Sequence, residues 1–208
     1  MLSYLMGLDE GLFHLTNAAW TNPLLDVLMP ALSWAGNLGA VWLVLLGVIA
    51  AFGKKTGRGI ALAGLIALAI GLASSEIIKE ITMRPRPFAA LPDARMLIAA
   101  PHSYAFPSGH ATSAFAAASG AVLAAKKLLG RVPPWGWAML ALAAVISYTR
   151  LYVGVHYPTD VAAGVLLGIA CGWIGVRLAA WREKRGRPSH SEKLEDIREE
   201  VVEVQRSA

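Results

Sequence analysis

Four apolar runs, each about as long as a bilayer crossing, constrain this chain more than any other feature. They lie at roughly residues 59 to 82, 109 to 129, 135 to 152 and 159 to 181. Each comes close to the ~20 residues that carry a helix across ~30 Å of hydrocarbon. In lipid every backbone N–H and C=O must find its partner within the protein, so such runs cross as helices. A less regular apolar stretch, residues 23 to 53, precedes them and is broken by Pro30 and by Gly36-Asn37. Its first part reads as a short or re-entrant helix, and its second, from about Leu38, as a span. The expectation is an all-α, polytopic membrane helix bundle of five transmembrane helices, or six if residues 23 to 35 also cross.

The flanks are different in kind. Residues 3 to 20 carry Asp9, Glu10, His14 and Asn17 among Leu, Met, Phe and Trp. That is too polar for a span and suits an interfacial helix, with Trp20 at headgroup level. Three regions follow: 1-22 as an interfacial N-terminal helix, 23-182 as the transmembrane domain, and 183-208 as a soluble tail. In the tail, Glu192 to Gln205 alternates charge with Ile197, Val201, Val202 and Val204, as a short amphipathic helix would. No basic n-region precedes the first apolar residues, so the N-terminus reads as mature protein.

Charge settles side and partner. The pI of about 9.6 raises nucleic acid as a partner. The basic residues, however, fall in short clusters beside the apolar runs, as in loops held at a cytoplasmic face, which argues against it. Lys54, Lys55 and Arg58 follow the first span, Lys126, Lys127 and Arg131 the third, and Arg182, Lys184, Arg185 and Arg187 the last. These loops, with the C-terminus, are expected on the cytoplasmic side. Alternation then puts Met83 to Pro107 and Arg150 to Pro158 together on the opposite, extracytoplasmic side. Arg84, Arg86, Arg95 and Arg150 run against the positive-inside trend there, and an anion site is sufficient reason. Cys171 is the sole cysteine, so neither a disulfide framework nor a cysteine metal site can form.

Three polar clusters sit at the ends of apolar runs on that outer side. Lys79 lies in the last turns of its helix, which must end by Met83 because Arg84-Pro85-Arg86-Pro87 cannot continue it. An extended segment there lets Arg86 turn back toward Lys79, pairing a planar fork with a compact charge for one phosphate. Pro107-Ser108-Gly109-His110 precedes an alanine-rich run: Ser108 is the natural N-cap, Gly109 admits a close backbone approach, and free N–H groups face an anion. His110, in the first turn, can donate a proton to a departing oxygen. Arg150 closes one helix and His156-Tyr157-Pro158-Thr159-Asp160 opens the next. Asp160 can reach one ring nitrogen of His156 and leave the other as an unprotonated nucleophile. Singly, each has a plain explanation: Lys79 as a snorkelling lysine, Ser108 as a cap, Asp160 as a helix-start carboxylate. Ionisable groups gathered at one end of a membrane bundle are costly, and together they point to chemistry.

Written as patterns, these are Lys-x6-Arg-Pro at Lys79 to Pro87, Pro-Ser-Gly-His at Pro107 to His110, and Arg-x5-His-x3-Asp at Arg150 to Asp160. They resemble the three signatures of the type 2 phosphatidic acid phosphatase superfamily, over roughly residues 59 to 181. Thr149 stands where the family often has Ser before the third-pattern arginine, and the hydroxyl is retained. The resemblance implies that His156 attacks phosphorus to form a phosphohistidine, that Asp160 orients it, and that His110 protonates the leaving oxygen and then helps activate water. It implies that Lys79, Arg86, Arg150, Ser108 and the Gly109 N–H hold the non-bridging oxygens. Members of the family need no metal, and no carboxylate or Cys/His cluster here suggests a divalent site or other cofactor. Opposite protonation states of two histidines predict a bell-shaped pH profile.

The implied substrate is a lipid phosphate whose head enters the polar site while its tail stays in the bilayer. Compact chains of this kind are similar to undecaprenyl diphosphate phosphatases; phosphatidylglycerophosphate or phosphatidic acid phosphatase is the alternative. Vanadate-dependent haloperoxidases share the superfamily but are soluble. A non-enzymatic lipid transporter accounts for the spans but has no need of His110, His156 and Asp160 together. His14 reads as interfacial and His102 as an outer-loop residue. Trp34, Trp42, Trp135, Trp137, Trp173 and Trp181 read as packing or belt residues. Gly164, Gly168, Gly172 and Gly175 read as allowing close helix approach within the subunit, and oligomeric state stays open.

Overall fold

The structure, a computed structural model, describes residues 2 to 185. Among these residues it is helical, without a strand: α1 Leu2–His14, α2 Pro23–Ala35, α3 Ala40–Phe52, α4 Lys54–Thr82, α5 Pro87–Ala90, α6 Gly109–Leu129, α7 Pro134–Tyr152 and α8 Pro158–Arg185. The amphipathic helix expected at Glu192 to Gln205 lies outside the described residues.

Local chemistry sets the boundaries. Asn22 caps α2 by accepting from the Leu25 N–H at 2.9 Å, with Pro23 at the first helical position. Ser108 caps α6 as its sequence predicts, its side chain accepting from the Ala111 N–H. Helix α4 stops at Thr82 because Met83 turns left-handed, at φ 46°, ahead of the two prolines. Pro134 and Pro158 open α7 and α8.

Helix α6 runs through the middle, with α4, α7 and α8 around it. Its inward positions are nearly all alanine, serine or glycine, and the core completes itself with Trp42, Leu46, Ile60, Met139 and Ile146. The glycines of α8 make that closeness possible: a Cβ on Gly164 would fall 2.7 Å from the Ser108 carbonyl oxygen, and one on Gly168 would fall 2.6 Å from that of Thr112. The close approach expected of these glycines is thus inside the subunit.

Two helical stretches, Lys54–Ala90 and Pro158–Arg185, are long and apolar enough to cross a membrane by themselves. Helices α6 and α7 have 21 and 19 residues, about 30 Å of rise each. Alanine and polar residues dilute their hydropathy, and α6 is sheltered by its neighbours. The span expected from about Leu38 needs correction. Helix α3 has 13 residues, only about 20 Å. It reaches crossing length only together with α2, as a broken span or a re-entrant pair bent by 51° at Gly36 to Gly39, where Leu38 and Gly39 take φ values of 50° and 74°. Only Gly53 separates α3 from α4, so Lys54, Lys55 and Arg58 belong to the first turns of α4 and not to a loop.

The N-terminal helix also differs from its expected environment. Asp9 and Asn17 are buried at 4% and 1% exposure. The Asn17 side chain donates to the carbonyls of Arg95 and Tyr152 at 2.8 and 2.9 Å and accepts from the Arg95 N–H at 2.8 Å. Polarity that reads as interfacial is here spent on tertiary bonds to the loop after α4 and the end of α7.

Candidate active site

The C-terminal ends of α4 and α7 and the N-terminal ends of α6 and α8 meet at one end of the bundle around a cavity of about 430 Å³. Lys79, Arg86, Gly109, His110, Arg150 and His156 line it together with Ser33, Trp34, Leu38, Leu72 and Ile98. The three separated patterns therefore converge. Ser108 and Asp160 lie behind the wall, fully buried at 0% exposure. The Ser108 N–H donates to the Asp160 carbonyl at 2.9 Å, which ties the α6 cap to the first turn of α8.

His156 is set between a donor and an acceptor. Arg86 Nη1 lies 3.2 Å from its Nε2. A guanidinium can only donate, so Nε2 is the unprotonated nitrogen. The ring proton then sits on Nδ1, which faces Asp160 Oδ2 at 3.5 Å. Asp160 is held on both oxygens: Oδ2 accepts the Tyr157 N–H at 2.8 Å and Oδ1 accepts from Arg84 Nη1 at 2.6 Å. Burial, and then the positive charges of Arg86, Arg150 and Lys79, push the His156 pKa well below the usual imidazole range. The ring is neutral at neutral pH, with its lone pair toward Arg86 Nη1.

The cations differ in how much of each is free for a ligand. Lys79 Nζ pairs with Glu76 Oε1 at 2.5 Å and lies 3.2 Å from where a Gly109 Cβ would sit, so glycine at 109 leaves the ammonium room beside the α6 backbone. Arg86 is committed at all five donors: to the Ser103 carbonyl at 2.7 Å, the Ser103 hydroxyl at 3.1 Å, the Tyr104 carbonyl at 3.2 Å, the Val155 carbonyl at 2.8 Å and His156. It clamps two loops as well as bordering the cavity. Arg150 donates from Nη1 to the Ser33 hydroxyl, and its Nε is buried without a partner. A buried orphan donor on the wall of a cationic cavity fits an anion. His110 Nε2 is 3.1 Å from the Ser33 carbonyl.

Two of the outer-side arginines serve another purpose than the sequence reading assigned. Arg95 grips both Asp26 oxygens at 2.9 Å. Arg84 stacks 4.2 Å over the Tyr157 ring and bridges Asp160 to Asp9, donating to Asp9 Oδ2 at 2.6 Å. Asp9 in turn accepts from the Thr159 N–H at 2.9 Å and the Thr159 hydroxyl at 2.6 Å. Asp9 and Ser33 are site residues that sequence reasoning missed, and Arg84 was read as an anion binder where it instead holds Asp160. None belongs to the three patterns, and only the Arg-Pro repeat at 84–87 hinted at one of them. His102 is absent from the cavity wall, whereas Trp34, read as a packing or belt residue, stands on its rim at 76% exposure. Among the described residues no three His, Cys, Asp or Glu side chains gather as metal ligands.

The family model described as the PAP2 superfamily matches residues 59–184, which contain all three patterns. The chain belongs to the PAP2 superfamily. Among PAP2 relatives, an undecaprenyl-diphosphatase from Sulfolobus acidocaldarius is 34% identical over 139 residues, 66% of this chain and 63% of that one. The chain thus spans a little under two thirds of that relative's length. The crystal structure of Aquifex aeolicus LpxE superposes with a TM-score of 0.63 at 31% identity, covering 82% of this chain and 95% of that one. The PAP2-type phosphatidylglycerolphosphate phosphatase of Bacillus subtilis matches with a TM-score of 0.66 over 88% of each chain, and at 23% identity it attests to the fold. This PAP2 chain is a helical membrane protein. Asp9, Asp26 and Ser33 come from its N-terminal region, ahead of the matched stretch.

Proposed function

We propose that this PAP2 protein is an integral-membrane lipid phosphate phosphatase working through a phosphohistidine, with undecaprenyl diphosphate as the substrate and undecaprenyl phosphate as the product. The observation that carries the reading is His156 at the wall of a cavity bordered by Lys79, Arg86 and Arg150, with its unprotonated Nε2 facing Arg86 Nη1 at 3.2 Å. Nε2 attacks the terminal phosphorus and forms the N–P bond as the bridging P–O bond breaks. Asp160 stabilises the positive imidazole that results. His110 gives its proton to the departing oxygen, then takes one from the water that hydrolyses the N–P bond, releasing inorganic phosphate. Lys79, Arg150, the Gly109 N–H and an Arg86 donor turned from His156 hold the non-bridging oxygens. Preorganised positive charge of this kind supplies most of the acceleration in phosphoryl transfer. Ser108 contributes by capping α6 and aiming its N-terminus at the anion.

The prenyl diphosphate rests on the similarity to the Sulfolobus acidocaldarius undecaprenyl-diphosphatase, and the apolar lining of Trp34, Leu38 and Leu72 suits a lipid tail beside the polar groups. The cavity end is assigned to the extracytoplasmic face. Lys54 and Lys55, Lys126 and Lys127, and Arg182, Lys184 and Arg185 all cap the opposite ends of α4, α6 and α8. The transmembrane domain is proposed to run over 23–182, preceded by an N-terminal helical region whose Asp9 and Asn17 pack against it.

Phosphate release in detergent from undecaprenyl diphosphate, phosphatidylglycerophosphate and phosphatidic acid tests both levels. Wild type is expected to prefer the diphosphate and to be insensitive to EDTA. His156→Ala is expected to lose activity by about 10³-fold or more, together with the base-stable, acid-labile phosphoenzyme seen on rapid quench. Full activity in His156→Ala would remove the nucleophile, and preference for either glycerolipid would replace the substrate while leaving the chemistry.

A further inference from the structure

Helix α2 contains none of the three patterns and lies ahead of the stretch matched by the family model, yet one of its residues reaches two of them. Ser33 is 2% exposed. Its hydroxyl accepts from Arg150 Nη1 and its carbonyl faces His110 Nε2 at 3.1 Å. The carbonyl is available because α2 ends at Ala35. A continuing helix would offer it the N–H four residues on, whereas here it has only the tighter bond from the Gly36 N–H at 3.1 Å. Gly36 completes the seat, since a Cβ there would fall 3.0 Å from His110 Cδ2 and 2.8 Å from Ile146 Cγ2. The break that keeps α2 and α3 from forming one straight span is what frees this contact.

We propose that Ser33 is a positioning residue that orients the proton donor through its carbonyl and an anion-binding arginine through its hydroxyl, so that the bend between α2 and α3 is part of the working site. The inference rests on the roles given above to His110 and Arg150. A carbonyl can only accept, so it fixes the His110 proton on Nε2 and leaves Nδ1 as the nitrogen that gains and delivers the transferable proton. The hydroxyl holds one arm of Arg150 and leaves its buried Nε without a protein partner, turned to use by a phosphate oxygen.

The two bonds can be separated by experiment on the full chain in detergent. The substrates are dioctanoyl phosphatidic acid, whose alkoxide must be protonated as it leaves, and p-nitrophenyl phosphate, whose phenolate need not be; orthovanadate probes the anion site. Ser33→Ala removes only the hydroxyl. It is expected to raise KM for both esters and weaken orthovanadate inhibition by about tenfold, with Ser33→Thr recovering most of the loss. Gly36→Ala crowds the His110 ring. It is expected to cut kcat on phosphatidic acid by at least about tenfold and on p-nitrophenyl phosphate by less than about threefold, as a displaced general acid predicts. Thermal unfolding accompanies each variant; if Gly36→Ala does not fold, the Ser33 pair decides alone. Wild-type inhibition in Ser33→Ala, or equal loss in Ser33→Ala and Ser33→Thr, overturns the tether. Equal slowing of both esters by Gly36→Ala overturns the His110 half. Hydrolysis of neither ester by wild type, or full rate in His110→Ala and Arg150→Ala, instead overturns the underlying reading of the site.

Discussion

Arg86 has only donors to offer His156 Nε2, and Asp160 has acceptors to offer Nδ1, so the tautomer needed by a nucleophilic imidazole is imposed by its neighbours. The same burial has a consequence for stability. An unfolded chain protonates a histidine near about pH 6.5, whereas His156 in the fold stays neutral well below that value. As pH falls through the unfolded value the unfolded state binds the extra proton, so stability present above it is lost below it. Thermal midpoints measured from about pH 7 down to about pH 5 are expected to fall, and to fall less steeply in His156→Gln, which has no proton to gain. A slope unchanged by the substitution would place the acid sensitivity elsewhere. In catalysis the lone pair on His156 remains available in mild acid.

At the scale of elements, the site depends on how closely α8 lies on α6. The Ser108 N–H to Asp160 carbonyl bond crosses that seam, and Gly164 and Gly168 make room for it. Gly168→Val would drive a side chain into the Thr112 carbonyl and Phe115 Cβ, at 2.6 and 2.8 Å from where its Cβ must sit. The expected cost is about 1–3 kcal/mol, read as a lowered unfolding midpoint, with activity lost as His156 and Asp160 move away from His110. A wild-type midpoint would mean that the seam is looser than these distances imply. Element type and ends were legible in the sequence where punctuation is strong: Ser108, Pro134, Pro158 and the Arg-Pro repeat all mark real boundaries. The shortness of α3 was not, because Lys54, Lys55 and Arg58 read as a loop after a span, whereas they open α4 one residue after α3 ends.

For the whole molecule, the N-terminal helix is joined to the proposed catalytic centre through charge. Asp9 holds Arg84, and Arg84 holds Asp160. Asp9→Asn keeps the shape but removes the charge that Arg84 faces, and such charge-assisted bonds are worth about 1.5–3 kcal/mol. The variant is expected to unfold at lower temperature and to lose about tenfold in kcat with KM little changed, because the defect reaches Asp160 and not the anion site. A change in KM alone would argue that α1 acts on substrate access instead.

The sequence by itself determined the helical membrane class, the ends of most helices and the three patterns to which the proposed chemistry is assigned, because apolar run length, proline, glycine and capping residues act locally. It also placed those patterns at one end of the bundle, since antiparallel succession follows from counting spans. Tertiary structure alone decided which polar residues serve the site from a distance. Asp9 and Asn17 look interfacial, Arg84 and Arg95 look like anion binders, and Ser33 looks like nothing in particular. Their partners are between 69 and 150 residues away in the chain, and no local propensity records a hydrogen bond made across that separation.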